Sequence, residues 1–178
     1  MLFEIAFGMS LKVPEKEHTL LVNLGRPAWI AVALTNDLFS YDKECRFADT
    51  TSPPTPHSEL FSSLTILMRE RAVDLETAKG LLRDEIRKYV GRYVRIVEES
   101  REREREGEWS VDLRRYLEAL LYGISGNLAY SVDSPRYHLD KRYNARQLEW
   151  MANGVPSEPP VLGKGDGNMN GEDTTGEM

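Results

Sequence analysis

The chain has 178 residues, 40% of them apolar, and a formal charge of −6. That is enough for one domain with a real core, and the wrong sign for a protein needing a basic face for nucleic acid. A single cysteine, Cys45, excludes an internal disulfide and a multi-cysteine zinc site, and His18, His57 and His138 stand far apart with no HExxH-like spacing.

From its start, MLFEIAFGMSLKVP, the chain lacks the basic flank and cleavage site of a signal peptide. No apolar run reaches bilayer-spanning length. A cytoplasmic setting is therefore expected. Helical periodicity then dominates, and strand alternation is absent. The first helix is expected over Arg26 to about Phe47, with Pro27 in its opening turn. The proline-rich loop Asp49–His57 ends it, and a second helix follows near Glu59–Arg71. A long amphipathic helix is predicted from Asp74, as N-cap, to about Glu106. Its apolar stripe is Leu75, Ala78, Leu82, Ile86, Tyr89, Val90, Tyr93 and Val97.

The alternating charges from Arg101 to Glu108 read as a solvated helix end, broken by Gly107. Ser110 should cap a further helix to about Val132, with Leu113, Leu117, Leu120, Leu121 and Ile124 facing the core. A short helix over His138–Met151 is expected next. From Ala152 on the chain holds six of its thirteen glycines and five acids against Lys164. The expected division is thus a helical portion over 1–151 and an acidic, disordered tail or linker over 152–178.

Two clusters carry chemistry. In Asn36-Asp37-Leu38-Phe39-Ser40-Tyr41-Asp42-Lys43-Glu44, the oxygens of Asn36, Ser40 and Glu44 fall at i, i+4 and i+8. Each step of four turns a helix by about 40° and climbs about 6 Å, so the three lie on one slanting stripe. Amide oxygen, hydroxyl and carboxylate are hard ligands suited to Mg²⁺. One carboxylate is little charge for that ion, so the missing anionic ligands would come from a substrate phosphate. Lys43 stands beside Glu44 within reach of the same phosphates. In the second cluster, Gly126–Ser131 is followed by Pro135-Arg136-Tyr137. Pro135 should end the helix there, leaving a guanidinium fork and a phenol to donate to one anionic group. Simpler roles stand beside these. Asn36 and Ser40 would be ordinary polar helix residues, Lys43 and Asp42 surface charges, Asp37 an outer-shell or exposed group, and Arg136 a helix cap.

NDLFSYDKE resembles the second metal-binding motif of class I terpene cyclases in its asparagine-serine-glutamate form. GNLAYS followed by PRY resembles the arginine-tyrosine motif near the C-terminus of fungal cyclases. The stretch YLEALLYGISGNLAYSVDSPRYHLD is similar to the cyclase domains of fungal chimeric di- and sesterterpene synthases. The resemblance spans roughly Met1–Met151 and implies an all-α fold, an antiparallel helical bundle forming the C-terminal half of a class I terpene synthase. It implies Mg²⁺ held by Asn36, Ser40 and Glu44. It also implies a prenyl diphosphate (farnesyl, geranylgeranyl or geranylfarnesyl) held by Lys43, Arg136 and Tyr137 and ionised to a carbocation that cyclises. Trp29, seven residues before Asn36 on the same face, would line the pocket, with Tyr130 a second candidate.

One family feature is missing from the sequence. No DDxxD cluster occurs anywhere, and no arginine precedes Arg26. The expectation is a portion of a cyclase, completed by an N-terminal half or fused to a prenyltransferase domain. The alternative is a non-catalytic helical module that binds Mg²⁺ and diphosphate weakly or packs on a partner.

Overall fold

A computed structural model describes residues 9–51, 53, 55–138, 142–143, 148–149 and 152–153. Its described elements are helices: α1 (His18–Thr50), α2 (Ser63–Arg71), α3 (Leu75–Arg105) and α4 (Val111–Asp133), with 3-10 turns at Glu15–Glu17 and His57–Glu59. The fold is all-α, as the sequence predicts. A compact unit runs to Arg142 and a second begins at Tyr143. Most of the helix expected over His138–Met151, and nearly all of the tail from Ala152, lie outside the described residues.

Caps set three of the helix starts. The Asp74 carboxylate accepts from Thr77 N at 2.8 Å, the Ser110 hydroxyl from Leu113 N at 3.1 Å, and the Ser62 hydroxyl from Leu64 N at 3.3 Å. The Ser62 cap moves the start of α2 to Ser63, past the Glu59 expected from sequence. Gly107, at φ +75°, takes the left-handed turn between α3 and α4 that a residue with a Cβ adopts at a cost.

Helix α1 begins eight residues before Arg26, so Pro27 sits inside it rather than in its first turn. Proline there removes one backbone hydrogen bond. Packing overrides that loss, because Leu21, Gly25, Pro27 and Ala28 are all buried. A Cβ on Gly25 would stand 3.3 Å from Leu120 Cδ1, so the glycine permits the close approach of α1 to α4.

Two clusters form the core. Leu21, Ala28, Tyr93, Val97, Leu113, Tyr116, Leu117 and Leu120 join the first half of α1 to α3 and α4. Tyr41, Leu64, Ala78 and Leu82 join its second half to α2 and the start of α3. Helix α3 therefore runs antiparallel to α1, and α4 reverses again to lie parallel to α1. That double reversal matters for function: it brings the end of α4 level with the middle of α1.

Candidate metal and diphosphate site

Helix α1 passes through Asn36, Ser40 and Glu44 without a break, so the three keep the stripe that their spacing gives. Their environments differ. Asn36 is exposed and Glu44 half-buried, whereas Ser40 is only 5% exposed and its hydroxyl has no hydrogen-bond partner. A buried, unanswered hydroxyl is costly unless something else satisfies it. A hard cation on this stripe would do so, and the amide oxygen, hydroxyl and carboxylate fit that group. Among the described residues neither Glu44 nor Lys43 makes a hydrogen bond or ion pair, and both are half-buried.

The arginine-tyrosine segment arrives from α4. The helix ends at Asp133, Ser134 is extended, and Pro135–Tyr137 form a turn. Backbone N–H groups of Tyr137 and His138 donate to Ser134 O at 3.1 and 3.3 Å, and Arg136 N donates to Ser134 Oγ at 3.1 Å. The His138 ring is bonded to Ser131 O at 2.9 Å and meets the Phe39 ring edge-on at 6.2 Å. Held in this way, Tyr137 is 9% exposed and its hydroxyl donates to Asn36 Oδ1 at 2.9 Å. A contact 101 residues apart in sequence thus joins the two motifs.

Arg136 is exposed, with its guanidinium carbon 5.7 Å from the Tyr137 ring centre. Tyr130, half-exposed, stands edge-on to the same ring at 6.3 Å. Trp29 packs on the first core cluster and also borders an open recess of about 530 Å³ with Val22, Asn23, Arg26, Ile30 and Ala33. Its indole N–H is buried without a partner. It therefore serves as core and as wall.

The neighbouring acids do other work. Asp37 is half-buried and turned to α2 rather than to the Asn36, Ser40 and Glu44 stripe: its carboxylate accepts from Ser63 N at 2.9 Å and Ser63 Oγ at 2.6 Å. It anchors the N-terminus of α2, where a negative charge is favoured. Glu17 does the same for α4, accepting from Ser110 N at 3.1 Å and Ser110 Oγ at 2.5 Å. Asp42 is exposed and lies 3.8 Å from Lys79. Sequence spacing alone gave no sign of either serine anchor, because each partner lies on a distant element.

The chain matches the family described as terpene synthase family 2, C-terminal metal binding, over residues 1–92, a stretch that includes Asn36, Ser40 and Glu44. It is 38% identical over 167 residues to the bifunctional type I diterpene synthase tndC of Aspergillus flavipes, covering 94% of this chain and 21% of that one. Fusicoccadiene synthase of Phomopsis amygdali is 38% identical over 164 residues, 90% of this chain and 22% of its own. A bifunctional sesterterpene synthase of Aspergillus aculeatus is 36% identical over 168 residues, 94% and 23%. The chain belongs to the terpene synthase family, in its C-terminal metal-binding part, and spans about a fifth of the length of the curated relatives it matches. No helix among the described residues is long and apolar enough to cross a membrane.

Proposed function

We propose that this chain carries one metal-binding side and one diphosphate-binding side of a class I terpene cyclase site. Asn36, Ser40 and Glu44 hold one Mg²⁺, and Lys43, Arg136 and Tyr137 hold the diphosphate of a prenyl substrate. The observation that carries the reading is the hydrogen bond from Tyr137 Oη to Asn36 Oδ1, which sets the two motifs at one place. Bound Mg²⁺ would neutralise charge on the departing diphosphate. The protein's share is electrostatic: cationic and phenolic donors fixed where negative charge grows. Trp29 and Tyr130 would offer aromatic faces to a carbocation.

By itself the chain lacks the carboxylates to fix further metal ions, because its sequence contains no aspartate-rich cluster. Ionisation would then outrun the charge available to stabilise it, and the exposed C-terminal half of α4 leaves any cation open to water. The test is calorimetric titration of inorganic diphosphate with and without Mg²⁺, alongside incubation with farnesyl and geranylgeranyl diphosphates and gas chromatography of the extract. Weak, Mg²⁺-dependent diphosphate binding is expected, lost in Asn36→Ala or Arg136→Ala, with no cyclic hydrocarbon. Diphosphate binding that Mg²⁺ does not strengthen, or that neither substitution weakens, removes the site. Cyclic product at a normal enzymatic rate removes the requirement for the missing carboxylates.

A further inference from the structure

We infer that Tyr137 is a latch on the metal ligand Asn36, closed when the site is empty and released by diphosphate. The inference rests on the metal and diphosphate reading above and adds an order of events to it. The Tyr137 hydroxyl now points its proton at Asn36 Oδ1, 2.9 Å away, the atom that reading assigns to Mg²⁺. An amide oxygen has two lone pairs, and here one is taken. The proton also places the positive end of the O–H dipole close to where a dication must approach, so metal arriving alone meets a half-occupied and repelling ligand.

The tyrosine cannot easily swing away as a whole. Its turn is tied to Ser134 through the backbone and side-chain bonds of residues 136–138, and its ring is flanked by Tyr130 and the Arg136 guanidinium. Only the hydroxyl proton is free to turn about the C–O bond. Inorganic or organic diphosphate beside exposed Arg136 offers it a charged acceptor, which is stronger than a neutral amide. Redirecting the proton to phosphate clears Asn36 Oδ1, so diphosphate and metal each favour the other's binding, as linkage requires. Ser40 Oγ, buried and unpartnered, is the neighbouring ligand on the same stripe.

Opposite signs in one variant test this. Tyr137→Phe keeps the ring and removes the proton. It should bind Mn²⁺ alone about fivefold more tightly than the wild-type chain, measured by electron paramagnetic resonance of free Mn²⁺. It should bind inorganic diphosphate in the presence of Mn²⁺ more weakly, by a similar factor. Purely structural tyrosine would weaken both or change neither, and either result overturns the latch. Asn36→Ala controls for the parent reading: Mn²⁺ binding that Asn36→Ala leaves intact removes the metal site itself, and the latch with it. Should Tyr137→Phe fail to fold by circular dichroism, the wild-type chain answers instead. Metal-free inorganic diphosphate should then shift the Asn36 side-chain amide signals, identified by their loss in Asn36→Asp. Unmoved signals overturn the proposal.

Discussion

The two ends of helix α4 are treated in opposite ways by the rest of the molecule. At its start, α3 and α4 close on each other with matched charges. Arg114 bonds Glu104 at 2.8 Å and Glu118 at 2.5 Å, Arg101 bonds Glu118 at 2.9 Å, and the Glu17 carboxylate holds Ser110. Leu113, Tyr116 and Leu117 beneath them are fully buried, and burial pushes the Tyr116 phenol up to about 12. Toward its end, α4 exposes Tyr122, Leu128, Tyr130 and Val132, and the nearby hydroxyls of Ser131 and Ser40 are buried without partners. One end has its charged groups paired and its apolar groups covered, although the Tyr116 hydroxyl is buried there without a partner. At the other end both accounts stay open, and that is where the two motifs meet. Covered packing and open surface are thus divided along a single helix, and the proposed site lies at the open end.

The sharpest way to break this contrast is a matched pair of truncations on α4. Leu117→Ala removes a fully buried side chain and should cost about 2–5 kcal/mol of unfolding free energy. Leu128→Ala, at a position 49% exposed, should cost under about 1 kcal/mol. Urea denaturation followed by circular dichroism measures both. Equal losses would mean that the far end of α4 is covered by something the contrast omits.

Next in size is Arg114→Ala, which leaves Glu104 and Glu118 partly buried with less compensation. A loss of about 1–2 kcal/mol at neutral pH is expected. Burial alone would raise the Glu118 carboxyl, but bonds from Arg101 and Arg114 outweigh it and hold the group below its ordinary 4.5. A lowered carboxyl contributes stability that is full above its unfolded value and is lost as pH falls through its folded one. The difference between wild type and Arg114→Ala should therefore be largest near pH 7 and shrink as the pH falls below about 4.5. A difference that stays constant down to pH 3 would mean the ion pairs contribute nothing.

Asp37→Asn should have the smallest effect, about 1 kcal/mol, through the weakened anchor on Ser63 at the start of α2. Metal binding should hardly change. Should Mn²⁺ affinity fall with stability untouched, Asp37 belongs to the metal site after all.

Local chemistry was legible in the sequence wherever it was decided locally. Asp74 and Ser110 cap the helices they were expected to cap, and of the expected stripe Ala78, Leu82, Tyr93 and Val97 are buried while Leu75, Ile86, Tyr89 and Val90 are half-buried. Asn36, Ser40 and Glu44 were readable as a stripe because only helix geometry is needed to align them. Pro27 misled, because its ring favours a helix start while the burial of Leu21 and Gly25 extends the helix past it. The alternating charges after Ser100 were read only in part. They form an exposed end, as read, but Arg101 and Glu104 also pair with Glu118 and Arg114 on α4. Such pairs depend on which helix lies opposite, and a single chain of letters does not state that. The same holds for Asp37 on Ser63 and for the bond between Tyr137 and Asn36, which exists only because the chain reverses twice between them.

The buried Tyr93 hydroxyl, which donates to Leu117 O at 2.8 Å, acts at a distance through this geometry. It is a peg between α3 and α4. Sliding α4 by one turn, about 5.4 Å, would strand that hydroxyl in an apolar core, so the peg fixes the axial height of α4. From Leu117 the helix then runs about 24 Å to Asp133, like a ruler clamped at one end. Whatever height the peg sets is the height at which the Arg136–Tyr137 turn is delivered beside α1. The alignment of the two motifs is thereby calibrated from deep in the core, far from any atom that would touch metal or diphosphate.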